Sequence, residues 1–372
     1  MIVNHKSYKL GSIIEPVRIR CDESNPEVVG VDVNHSFIPT RANLSGVDTS
    51  KYLVVPAGCF ACNLMHIGRD ERLPLAYNST GRDLVITHAY YVFRVKTAME
   101  ALVMPNYLYL YLCRQETDRY TWFCTDSSIR GNLPEARLLD IEIPVPDIEI
   151  QRQLVNVWEG LNSMKQDNEA QAEPLMELCM SYLKKLKKEY PLEEIGRYIH
   201  RVDIRNTDNA IKRVMGLSVT KEFREPTAKV NRHELEKYKV LAPRQFGFVQ
   251  TTNNEKCLVV CLSTFDEKIV ISSVNEVFEI VDEKLLLPEY LHLWFLRKEM
   301  DRYARFHSWG SARETFNFED MKRVRIPIPP IEIQRAIANI YSCAKESKAI
   351  AEQAEQLRRI AGPALMQKAI NN

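Results

Sequence analysis

The chain has 372 residues, 45% hydrophobic and 27% charged, with 50 Lys and Arg against 49 Asp and Glu for a net charge of +1. No apolar run reaches the roughly 20 residues of a membrane-spanning helix, and residues 1–20 carry Lys6, Lys9, Glu15, Arg18 and Arg20 with no apolar stretch, so neither a span nor a signal peptide is expected. The nine scattered cysteines read as reduced thiols in a cytoplasm. A balanced charge leaves nucleic-acid binding open, because binding depends on where the charge sits.

In chain order, residues 8–100 carry short β-type runs at Tyr52–Val55, Asp83–Ile86 and Ala89–Phe93, separated by turn residues. Pro105 stands where the first residue of a helix tolerates proline, and YLYLYLCR follows it as a short helix. The next segment, IEIPVPDIEIQRQL from Ile141, is held out of helix by its prolines and then runs into a long charged stretch. There Ile148, Leu154, Trp158, Leu161 and Met164 recur at helical steps, and Leu175, Leu178, Tyr182 and Leu186 resume the stripe.

The same order then recurs. β-Type runs at Cys257–Cys261 and Lys268–Ile271 precede Pro288 with YLHLWFLR, then VRIPIPPIEIQRAI from Val324, then a stripe of Ile331, Ile337, Ile340, Ala344 and Leu357. At an offset of 183 (Ile331 minus Ile148) the two proline segments share eight of their first twelve residues, which identifies an internal repeat. Asp118-Arg119-Tyr120 meets Asp301-Arg302-Tyr303 at the same offset, and Gly30, Val33 and Phe37 meet Gly216, Val219 and Phe223 at 186. The expected fold is α+β: two similar mixed α/β domains separated by two long helices that form an antiparallel coiled coil, with an internal two-fold repeat. Its boundaries are expected at 1–147, 148–189, 190–330 and 331–372. About 40 residues at ~1.5 Å each give a helix of roughly 60 Å, longer than one small domain needs. Pro174 and Gly362-Pro363 are expected to kink or break these helices.

Catalytic motifs are missing. There is no Gly-Lys-Ser/Thr phosphate loop, no G-x-G-x-x-G and no Asn-Pro-Pro-aromatic motif. Cys59, Cys62 and His66 have partial zinc spacing without a fourth ligand, so buried thiols are the better reading. Asp147 and Glu149 resemble a nuclease cluster, but Gln151 replaces the needed lysine, and solvated loop charges are expected. Nucleophile, base and electrophile do not occur together.

Two copies of one module suit the two-fold symmetry of duplex DNA. Each copy needs Lys or Arg for phosphates and polar side chains for base edges. In the first copy the candidates are Arg18, Arg20, Asn63, His66, Arg69, Arg72 and Arg82, with Arg41, Lys51 and Asn78 as further polar loop residues. In the second they are Arg201, Arg205, Lys221, Arg224, Gln250, Asn253, Asn254 and Lys256, with Lys229, Arg244 and Thr252 besides. The apolar framework matches while Asn63–Arg69 faces Gln250–Lys256, as one scaffold reading two sequences would require. Ser128 with Arg130, and Ser311 with Arg313, match at offset 183 and suit a phosphate contact or, equally, a local cap or ion pair.

This layout resembles the specificity subunit of type I restriction-modification systems. The resemblance rests on Ile143-Pro-Val-Pro146 through Gln151-Arg152, Ile326-Pro-Ile-Pro329 through Gln334-Arg335, the Ser-x-Arg pairs and the long helices, and it covers essentially the whole chain. It implies two target recognition domains reading the halves of a bipartite DNA site, and helices that set the spacing and dock two methyltransferase subunits. It also implies restriction subunits as further partners, S-adenosylmethionine, ATP and Mg held by partner subunits, and no catalysis or cofactor of the chain's own. Asp147 departs from the family's second proline. The family has no shared base-reading motif, so the contact residues above come from loop position and polarity. The alternatives are a stand-alone DNA-modifying enzyme with an unrecognised active site, and an assembly adaptor that does not bind DNA.

Overall fold

The computed structural model describes every residue except 1–5, 23–26, 41, 45, 66, 127, 129–130, 228, 252–256, 311–313 and 372, and the side chains at 361, 363 and 369–371. The chain divides into two compact units, Met1–Asp167 with Ile350–Asn372, and Asn168–Ala349.

In the first unit a four-stranded antiparallel sheet orders Ile14–Pro16, Tyr90–Val95, Phe60–Asn63 and Leu75–Tyr77. A second sheet orders Phe37–Pro39, Val28–Val31, Leu84–Ile86 and Leu53–Val55, with its two central strands parallel. The main core sits where the first of these sheets meets the helix Pro105–Leu112. Phe60 and Phe93 are cross-strand partners, fully buried and stacked at 4.9 Å, a pairing that aromatic faces favour when offset.

The second unit has an antiparallel sheet of Ile199–Val202, Glu276–Ile280, Phe246–Val249 and Val259–Leu262. Phe246 and Phe278 stack at 4.7 Å in the position that Phe60 and Phe93 hold in the first. Lys239–Leu241 pairs with Ile269–Ile271 as a separate ribbon.

Pro105 and Pro288 each open a helix, as expected. A second helix follows each, Gln115–Phe123 and Lys298–Phe306, after one extended arginine, Arg114 or Arg297, where the sequence predicts a single short helix. The Pro-x-Pro segments are strands. Glu142–Val145 pairs with Lys6–Lys9, and Arg325–Pro327 with Leu192–Glu194, each in a two-stranded ribbon. A strand with only one neighbour has a free edge, so a proline without N–H breaks no ladder there. Buried tyrosines pin the helices to these ribbons: the Tyr107 hydroxyl donates to Pro144 O at 2.6 Å and Tyr290 to Pro327 O at 2.9 Å.

Long helices begin at Ile148 and Ile331 and run to Glu189 and Asn371. Their first turns are fixed by a fully buried glutamine. Gln151 donates through Nε2 to Leu102 O and Pro146 O at 2.7 Å each, and accepts from Met104 N at 2.9 Å. Gln334 makes the corresponding three bonds to Leu285 O, Pro329 O and Leu287 N at 2.8–2.9 Å. The expected breaks do not occur, as the backbone stays helical through Pro174 and through Gly362-Pro363. Proline removes one backbone bond, and flanking turns on both sides hold the helix across it.

Within the first unit, Val155 shares a core with Met366, and Lys165 lies 3.2 Å from Glu355. Burial alone would raise the Glu355 carboxyl, but Arg358, Arg359 and Lys165 outweigh it and hold it down to about 2. Within the second unit, Cys179, Leu183 and Leu186 share a core with Ile337, whose carbonyl lies 3.8 Å from Cys179 Sγ. Among the described residues no helix is long and apolar enough to cross a membrane.

Candidate nucleic-acid interface

Several predicted contact residues are exposed on the first unit. Arg18 and Arg20 are exposed beyond the strand Ile14–Pro16. Arg72 is exposed, with one weak bond to Val33 O at 3.4 Å, and Arg82 reaches Glu27 at 3.7 Å. Arg69 is forked onto its neighbour Asp70 at 2.6 and 3.0 Å. Asn63 ends a strand and accepts from Met65 N at 2.9 Å. Lys51 is exposed, whereas Asn78 is fully buried and holds Val55 O and Arg82 O. Ser128 bonds Asp126, which also accepts from Ser128 N and Asn132 N at 3.1 and 3.0 Å, so its hydroxyl closes a local turn. His66, Arg130, Asn253, Asn254, Lys256, Ser311 and Arg313 lie outside the described residues, as do Arg41 and Thr252.

On the second unit Arg224 and Lys229 are exposed. Arg205 is half-buried, bonded to Lys237 O at 2.8 Å and 3.2 Å from Asp203. Arg244 is clasped by Glu283 and Glu289. Lys221 is not open to a ligand. It is 5% exposed, has a left-handed φ of 63°, and sets Nζ on Asp301 at 2.7 Å and on Phe295 O. Its counterpart is His35, at φ 64°, with Nε2 3.9 Å from Asp118. Asp118 accepts from Leu73 N and Asp301 from Leu258 N, both at 3.0 Å. A loop residue in left-handed conformation thus sets a basic side chain over the same helix carboxylate in both units. Burial pushes the Asp118 carboxyl up to about 6, and it lowers His35, with Arg72 adding to the effect.

Two predicted residues come together around a carboxylate that the sequence reading missed. Glu276, 5% exposed, takes Arg201 side-on, Nε to Oε2 and Nη2 to Oε1, both at 2.6 Å. Gln250 Nε2 donates to Oε1 at 2.7 Å, and Lys239 Nζ, 2% exposed, donates to Oε2 at 2.9 Å. Lys239 also lies 3.5 Å from Asp203. A buried charge needs a charged and hydrogen-bonded surround of this kind. The only sequence signal was charge at the head of two apolar runs, Lys239 in Lys239–Leu241 and Glu276 in Glu276–Ile280.

Strand register identifies the same positions in the first unit. Arg201 faces Phe278 as Pro16 faces Phe93. Lys239 faces Ile271 as Leu53 faces Ile86, and Glu276 faces Phe248 as Tyr91 faces Cys62. Gln250 O accepts from Phe316 N as Leu64 O accepts from Leu133 N. Gln250 therefore corresponds to Leu64, one residue from the Asn63 with which the sequence comparison aligned it. The cluster Arg201, Lys239, Gln250 and Glu276 has Pro16, Leu53, Leu64 and Tyr91 in its place.

Cys59 and Cys62 are buried thiols pushed up by burial. Asp147 and Glu149 are exposed, Glu149 pairing with Arg152 at 2.6 Å. No cluster of metal-ligating side chains occurs among the described residues.

Residues 260–356 match the family model described as the type I restriction modification DNA specificity domain. The fold matches the S subunit of a type I restriction-modification system from M. genitalium at 10% identity and a TM-score of 0.61, covering 100% of this chain and 97% of that one. The HsdS subunit from Thermoanaerobacter tengcongensis aligns at 15% identity and a TM-score of 0.40, covering 99% and 97%. No curated protein matches by sequence. The resemblance to type I specificity subunits is borne out by the family model and the fold.

Proposed function

We propose that this chain is the non-catalytic DNA-recognition subunit of a type I restriction-modification complex. Residues 1–147 and 190–330 act as target recognition domains, each reading one half of a bipartite site in double-stranded DNA. Residues 148–189 and 331–372 pair as an antiparallel coiled coil, set the distance between the halves and dock two methyltransferase subunits. The internal repeat gives one polypeptide the two-fold symmetry that dimeric DNA readers otherwise obtain by association. S-adenosylmethionine, ATP and Mg belong to the partner subunits, restriction subunits among them, and the complex works in the cytoplasm.

One observation carries this reading. The joint between module and helix is the same in both copies, down to the three bonds of Gln151 and Gln334, while the polar content of the equivalent sheets differs. A shared partner favours identical joints, and two different half-sites favour different polar surfaces. The two most exposed large apolar side chains among the described residues, Phe123 at 85% and Phe306 at 80%, also sit 183 positions apart. That placement supports two equivalent contacts with a common partner.

The test is selection of randomised duplexes by the full chain, alone and with its methyltransferase subunit. The expected product is a split sequence with a spacer of fixed length. Failure to enrich any split sequence at low and moderate salt overturns the reading.

A further inference from the structure

The cluster at Glu276 has the form of a base reader, and we propose that Arg201, buttressed by Glu276, reads a guanine in the half-site of the second module. This rests on the DNA-recognition reading above and adds a residue and a base to it.

A guanidinium has two edges that can form paired hydrogen bonds. Glu276 occupies one of them, the Nε–Nη2 side, with both bonds at 2.6 Å. The end edge remains, formed by Nη1 and the second hydrogen of Nη2. Nη1 makes no bond among the described residues, and the Arg201 side chain is 50% exposed while the Glu276 side chain is 6% exposed. The anion is buried, and the guanidinium that it holds belongs to a half-exposed side chain. The end edge matches O6 and N7 of guanine in the major groove, the paired contact that arginine makes most often.

Three features argue for presentation of the arginine rather than an ordinary surface ion pair. An exposed arginine loses side-chain freedom when it is ordered on a base. Here the carboxylate has already ordered it. The carboxylate is itself held from behind by Lys239, which is buried and keeps the site from carrying an unpaired negative charge toward DNA. Gln250 completes the shell with Nε2 on Glu276 Oε1 at 2.7 Å, leaving its own Oε1 without a bond among the described residues. That oxygen is an acceptor for the amino group of a neighbouring adenine or cytosine. The first unit has Pro16, Tyr91, Leu64 and Leu53 at these positions and cannot make the contact. A group that is present in only one of two similar modules, and assembled from three strands, suits a task that differs between them.

Arg201→Lys and Arg201→Ala, in the full chain with its methyltransferase subunit, separate this from a phosphate contact. The readout is selection from a randomised duplex pool, with salt titration on the best sequence. Both variants are expected to lose preference at a single guanine of one half-site, by roughly 10- to 100-fold, with the other half-site and the spacer unchanged. Lysine keeps the charge and loses the fork, so Arg201→Lys discriminates. If it selects the same guanine as the parent, or if Arg201→Ala lowers affinity equally for all sequences and reduces the salt slope by about one, the proposal is overturned. Glu276→Gln is a positioning variant, expected to relax the same base while circular dichroism stays unchanged; relaxation at a different base also overturns the proposal. If the parent chain selects no split sequence, the DNA-recognition reading has failed, an outcome distinct from a parent that selects normally and variants that do not differ from it.

Discussion

The joint at the long helices and the sheet above it follow opposite rules. Gln151 and Gln334 make the same three bonds at nearly the same lengths. In the cluster, Arg201, Lys239, Gln250 and Glu276 stand where the first unit has a proline, two leucines and a tyrosine. The joint is fully buried, whereas the cluster pairs a buried Lys239 and Glu276 with a half-exposed Arg201. Groups that hold the module to its helix are kept. Groups that face the part of the sheet carrying the exposed Arg201 are free to change, provided that each set satisfies its own charges and hydrogen bonds.

The sharpest test of that difference is Glu276→Leu. It strands Lys239 at 2% exposure with only Asp203 at 3.5 Å, and removing one partner of a buried pair costs about 3–5 kcal/mol. Tyr91→Leu at the equivalent position is expected to cost about 1 kcal/mol, the ordinary range for a substitution. Urea denaturation of both variants checks this, and equal losses would mean that the cluster is not the ionic core described here.

The similarity is tested next by Gln151→Ala and Gln334→Ala. Each leaves a buried N–H and two carbonyls without their partner, expected to cost about 2–3 kcal/mol. The two values should agree, and a gap above about 1 kcal/mol at matched conditions would break the equivalence of the joints.

A smaller effect separates Asp118 from Asp301. Burial raises the Asp118 carboxyl in the folded protein to about 6, above its unfolded range. The folded state therefore binds this proton more tightly, and the group's contribution to stability falls as pH rises from about 4 to about 6. Asp118→Asn keeps an acceptor for Leu73 N and removes the titration. It is expected to flatten the melting profile over that window and to gain about 1 kcal/mol at neutral pH, after allowance for solvent screening. No change in the slope would show that Asp118 is charged at little cost. Smallest is Lys165→Ala, which releases one partly exposed partner of Glu355 and is expected to cost about 0.5 kcal/mol, measured by the same denaturation.

Much of the architecture was legible because proline, turn chemistry and apolar periodicity are local. The helix starts at Ile148 and Ile331, the prolines at Pro105 and Pro288, and the β-type runs follow from neighbours in sequence. The second short helices, Gln115–Phe123 and Lys298–Phe306, were missed because their residues are mostly polar and their apolar positions few. Among the candidate contacts, Arg18, Arg20, Arg72 and Arg224 are exposed as polar loop residues should be, whereas Lys221 and Asn78 are buried. Composition cannot tell an exposed polar residue from one that closes an internal network.

The sequence by itself determined the order of strand, helix and proline segment in each half of the chain and the places where the long helices begin. Each of these depends on residues within a few positions of one another. Only the tertiary structure decided that Arg201, Lys239, Gln250 and Glu276 meet, because cross-strand pairing joins residues 26 to 75 positions apart. It also decided that Gln250 stands where Leu64 does. A one-residue slip in a strand turns every side chain to the opposite face, and only hydrogen-bond register fixes which face that is.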